Sequence, residues 1–160
     1  MPDLVPEQDA VTYRPRLLRL VATVASSSLL LLSFFGWFAL PQSLRDQFLP
    51  SQIVTLLLIL GFIVGFIWAL AASYVQADAR GVKFRNGLRT HVIAWEDVHK
   101  VLLRPGDPWA LLLVRPEDGP METDVDAEKH QMLGIQAGDG AAAQAAVEDL
   151  RRRLAIARTR

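Results

Sequence analysis

Residues 81–102 read GVKFRNGLRTHVIAWEDVHKVL, and this stretch decides the fold of the charged half of the chain. Val82 and Phe84 alternate with Lys83 and Arg85, the two-residue period of a half-buried strand. Asn86-Gly87 follows at once, and this dipeptide favours a hairpin reversal because both residues tolerate the positive φ of a tight turn. Residues 88–93 form the return strand, with Arg89 and His91 on one face. Trp95-Glu96-Asp97-Val98 predicts a turn or single helical turn, and residues 99–103 a further strand.

Downstream, the Pro and Gly content of residues 104–108 marks a loop, and residues 109–114 are the next strand. Residues 115–139 are polar and punctuated by Pro116, Gly119, Pro120, Gly134 and Gly138, which predicts a long loop with short strands near 122–125 and 132–135. Asp139 is placed to cap a helix over 140–157, in which Ala143, Val147, Leu150 and Leu154 share a face. A sheet of this size buries only a modest core, so the helix is needed to cover it, with Trp95 and Trp109 as anchors.

Upstream lie two segments without a charged residue, 20–40 (LVATVASSSLLLLSFFGWFAL) and 53–75 (IVTLLLILGFIVGFIWALAASYV). As helices they reach roughly 31 and 34 Å, enough for a hydrocarbon core of about 30 Å. Both read as transmembrane helices, and the first is too long for the core of a cleaved signal peptide. Arg14, Arg16 and Arg19 precede the first, and Arg80, Lys83, Arg85 and Arg89 follow the second, whereas the connection 41–52 holds only Arg45. Positive charge is retained inside, so a multi-pass protein of the bacterial cytoplasmic membrane with both termini cytoplasmic is expected. Trp37 and Tyr74 suit interfacial anchoring. Gly61, Gly65, Ala69 and Ser73 recur every four residues, a transmembrane packing stripe whose simplest use is contact between the two helices.

Composition narrows the function. The 160 residues carry 17 basic and 17 acidic side chains, so a nucleic-acid partner has no electrostatic support. Absence of cysteine removes disulfides, thiol catalysis and cysteine-based metal sites. No hydrolase, zinc-protease or phosphate-loop motif is present, so no enzyme activity, cofactor or metal is expected. The acidic stretch 117–139 lacks the central glycine and closing glutamate of a calcium loop and reads as a solvated, partner-facing segment.

Two apolar spans lead directly into residues 81–102, followed by Pro108-Trp109, an apolar strand and an Arg-rich helix. This resembles the bacterial PH-domain membrane proteins of actinobacteria, the family of low-molecular-weight protein antigen 6. Gly81, Arg85 and Asn86 carry that family's hairpin element, and Trp95, Asp97 and Val98 its corner. Here Glu117-Asp118-Gly119 leads into the acidic stretch where the family has a compact hairpin. The resemblance implies an α+β membrane protein: a two-helix transmembrane hairpin, then a small PH-like antiparallel β-barrel or sandwich capped by a C-terminal α-helix. Its expected divisions are a cytoplasmic tail over 1–19, the hairpin over 20–75 and a cytoplasmic domain over 76–160.

PH-like folds host lipid binding, peptide binding and assembly, so function must be sought in residues. Lys83, Arg85, Arg89, His91, Lys100 and Arg104 form the candidate surface for lipid or partner. The expected function is a membrane-anchored interaction module, an accessory or scaffolding subunit that binds a membrane or envelope protein. The alternative is an autonomous sensor of anionic phospholipid.

Overall fold

A computed structural model describes residues 10–116, 123–124 and 126–159. The chain divides into two units: Leu17–Ala71, and the residues before and after it.

The second unit is built on seven strands. β1 (Val11–Tyr13), β2 (Tyr74–Ala77), β3 (Gly81–Asn86) and β4 (Arg89–Ala94) form one antiparallel sheet in that order. β5 (Val98–Leu102), β6 (Trp109–Val114) and β7 (Glu128–Gln136) form the other. The inward row Tyr13, Val75, Phe84 and His91 crosses all four strands of the first sheet, and its neighbour joins Val11, Ala77, Val82 and Ile93. Alternation therefore places Lys83 and Arg85 outward, as the two-residue period requires. Phe84, Val101, Leu112 and Met132 fill the core at 0% exposure. Helix α4 (Ala141–Arg158) closes it with Ala143, Ala146, Val147, Leu150 and Leu154. Trp95 joins this core and its indole N–H donates to the Asp78 carbonyl, whereas Trp109 is only half-buried.

Several local expectations change. The hairpin turn is Gly87-Leu88, not Asn86-Gly87, because Asn86 still pairs with Arg89. Gly87 has φ +60° and Leu88 does not have positive φ, a reversal with glycine at its first central position. One long β7 replaces the strand expected at 132–135; the companion near 122–125 falls largely outside the described residues. Asp139 does not cap α4: Gly140 occupies that position, and the Asp139 carboxylate accepts the backbone N–H of Arg16.

The other unit contains α1 (Arg16–Ala39), a short helical turn α2 (Gln42–Arg45) and α3 (Pro50–Ala71). α1 and α3 are long and apolar enough to cross a membrane. None of the apolar window of α3 and 11% of that of α1 is buried, unlike the core helix of a soluble domain. α3 ends at Ala71, short of residue 75, because Tyr74–Ala77 is taken up as β2. Residues 11–13, expected in a tail, form β1 against β2. The helical segment is therefore an insertion between two adjacent strands of the β-domain rather than a preface to it.

Bulky side chains, including Leu30, Phe34 and Trp37 of α1 and Ile53, Leu56 and Leu60 of α3, line an apolar cleft of about 900 Å³. A Cβ added at Gly61 or Gly65 would meet nothing within 4 Å, so neither glycine serves as a close contact between α1 and α3. Ser73, the last of the expected stripe, lies beyond α3.

Candidate interaction surface

The β3–β4 hairpin is held at its tip by three side chains, two of which act on partners distant in sequence. Ser73 is buried, and its hydroxyl accepts the Gly87 N–H at 3.1 Å. Arg85 donates from Nε to the Gly87 carbonyl at 2.7 Å. Asn86 reaches across to the second sheet, donating from Nδ2 to the Gln131 carbonyl and accepting the Leu133 N–H. That side chain imitates a strand neighbour for β7 and joins the two sheets at one edge. Farther along the same seam, β7 runs so close to β2 that a Cβ on Gly134 would lie 2.5 Å from the Tyr74 carbonyl carbon.

The six candidate residues do not form one patch. Lys83 is exposed and Arg85 half-buried on the outer face of the first sheet, in rows with Val92 and Thr90. Arg89 is exposed at the turn, on the opposite face of the hairpin from Arg85. His91 turns inward and stacks on Phe84, with ring centroids 5.0 Å apart, and His130 lies 5.5 Å from it. Lys100 is on the second sheet, where Asp124 bridges its ammonium and the His99 ring at 3.0 Å each. Hydrogen bonds from Lys100 and then His99 hold the Asp124 carboxyl below its ordinary range. Part of the acidic stretch thus neutralises part of the basic set. Arg104 is in the loop after β5, where its N–H is accepted by Asp107.

The Arg-rich helix spends its charge internally. Arg151 donates to the Val101 carbonyl, Arg158 to the carbonyls of Val98 and His99, and Arg152 and Arg153 pair with Asp149. Asp149 also accepts the Tyr13 hydroxyl, which ties β1 to α4. Burial of Asp149 opposes its ionisation, but the bonds from Tyr13 and Arg153 and the neighbouring guanidinium charges outweigh it and hold the carboxyl below its ordinary range. Burial, then the bond to Asp149 and its negative charge, push the Tyr13 phenol up to about 12. Among the described residues, Lys83 and Arg89 have no acidic partner within ion-pair distance, so the hairpin keeps positive charge that is not neutralised locally.

Sequence pattern locates Lys83, Arg85 and Arg89 but misses Ser73, Asn86 as a bridge, Tyr13 and Asp149. Their partners lie 14 to 136 residues away, beyond any local period. The dipeptide Asn86-Gly87 signals the reversal without revealing which strand the amide binds.

Two antiparallel sheets of four and three strands closed by a C-terminal helix define a PH-like interaction domain. The sequence profile described as "Bacterial PH domain" matches residues 73–153, just over half of the chain. The chain belongs to the bacterial PH domain family, whose members are lipid- or protein-interaction modules. No curated protein and no solved structure matches it.

Proposed function

We propose that this chain is a membrane-anchored interaction module, an accessory or scaffolding subunit whose PH domain is held at the cytoplasmic face of the membrane and binds a membrane or envelope protein. The carrying observation is the insertion of Leu17–Ala71 between β1 and β2. Both helices enter the domain through adjacent antiparallel strands, about 5 Å apart, so membrane and domain are joined at two points rather than through one flexible linker. Arg14 precedes α1, Arg16 and Arg19 lie in its first turn, and the β3–β4 hairpin follows α3, which supports the cytoplasmic assignment.

The outer face bearing Lys83 and Val92, at the edge strand β4, is the proposed cytoplasmic docking surface. Val92 on that edge is 75% exposed. Gly61, Gly65 and Ala69 are the proposed intramembrane contact. The groove between β1 and α4 measures about 150 Å³, below the roughly 300–1,000 Å³ of ordinary small-molecule sites, which favours surface recognition there. Gentle purification of the full chain from its native membrane should yield a stoichiometric companion that is lost with Lys83→Glu/Val92→Lys, or with Gly65→Leu. Elution alone, with vesicle binding that needs only anionic lipid, would favour the autonomous lipid sensor.

A further inference from the structure

From the tip of the β3–β4 hairpin, we infer that Leu88 inserts into the interfacial layer of the same membrane that α1 and α3 cross, with Arg85 and Arg89 at the anionic headgroups on either side of it. The inference rests on the proposed membrane-spanning role of those helices.

Leu88 is 81% exposed at the centre of a two-residue turn. A soluble hairpin has no need of a large apolar residue there, and such turns favour small or polar residues. The backbone reversal is satisfied by Gly87, which leaves the leucine side chain without a structural task in the domain. Position supplies the task. The Gly87 N–H is bonded to Ser73, two residues beyond the end of α3, and Arg85 is paired in register with Tyr74. Two residues of chain span at most about 7 Å, so the turn is tethered close to the point where α3 ends. That tether is covalent and needs no packing between the two units.

The chemistry at the tip is divided accordingly. One apolar side chain projects at the centre, and two guanidinium groups flank it from opposite faces of the hairpin. Arg85 is braced by its bond to the Gly87 carbonyl, while Arg89 is exposed and has no acidic partner among the described residues. An apolar residue between basic ones fits a surface whose headgroups are negative and whose interior is hydrocarbon. A protein pocket would need a matching acidic rim, whereas an anionic bilayer supplies charge and apolar depth together. The inserted tip orients the domain and leaves the face of Lys83 and Val92 toward the cytoplasm for a partner.

Because the chain has no cysteine, single-cysteine labelling is clean. The full chain would be reconstituted into bilayers of equimolar phosphatidylglycerol and phosphatidylcholine, with an environment-sensitive fluorophore at L58C, L88C, V92C or E96C. The expected result is blue-shifted emission at positions 58 and 88, loss of intensity at 88 to lipids spin-labelled near the headgroup, and water-like emission at 92 and 96. Val92 is nearly as exposed and apolar as Leu88 but about 13 Å farther along the strand, so it controls for attraction of the dye itself. Water-like emission at 88 with a buried probe at 58 overturns the inference and leaves the spanning role intact. Equal quenching at 88 and 92 overturns it as well. A water-like probe at 58 removes the spanning role, and the inference falls with it.

Discussion

At the scale of single residues, the β-domain depends on side chains that replace backbone partners. Asn86→Ala removes both bonds to β7 and leaves the Leu133 N–H without its acceptor. A fully buried unsatisfied donor costs about 1–3 kcal/mol; this one is half-buried, so a loss at the lower end, about 1 kcal/mol, is expected in denaturant unfolding of the full chain in detergent. The Tyr13–Asp149 bond has a pH signature with two arms. The folded pKa of Asp149 is depressed, so its contribution is present above the unfolded value near 4 and is lost as pH falls through the lower folded value. For Tyr13 the folded pKa is raised to about 12. Its contribution is therefore complete below the unfolded value of about 10 and is lost as pH rises from there toward 12. Tyr13→Phe should flatten the alkaline decline in thermal midpoint; an unchanged decline would place its source elsewhere.

Elements differ in how plainly they announce themselves. β3 and the apolar face of α4 are legible because each keeps one period, and β6 because it is a short unbroken apolar run bounded by Pro and Gly. β1 is three residues long and precedes an apolar helix, too short to show any period. β7 is obscured by Gly134, which reads as a loop signal although it permits close passage beside β2. The same contact yields a test. Gly134→Val must push β7 off the Tyr74 backbone, and a destabilisation of about 1–3 kcal/mol or more is expected, comparable with overpacking in cores. Because β1 and β2 are antiparallel neighbours, residues 17–71 should also be replaceable by a hairpin loop of about 2–5 residues. The resulting chain should give a soluble, cooperatively unfolding domain. A chain of residues 77–160 lacks β1 and most of β2 and should be markedly less stable in the same experiment.

At the scale of the whole molecule, an insertion between two strands changes what anchoring means. Both ends of the helical segment are received by neighbouring strands of a single sheet, so under the proposed spanning role the domain has two covalent connections to the membrane rather than one. The candidate surface was legible in part: clustered Lys83, Arg85 and Arg89 mark the hairpin, but the inward turn of His91 depends on strand parity and the pairing of Lys100 on Asp124. The central claim is that α1 and α3 cross the membrane and return the chain to the side where the PH domain folds. Its most direct test is labelling of intact cells with a membrane-impermeant maleimide, using S43C in the connection between the helices and E96C in the exposed turn of the β-domain. The account predicts labelling at position 43 in intact cells and at position 96 only after permeabilisation. Labelling of position 96 in intact cells, or equal protection of both until the membrane is opened, would contradict it.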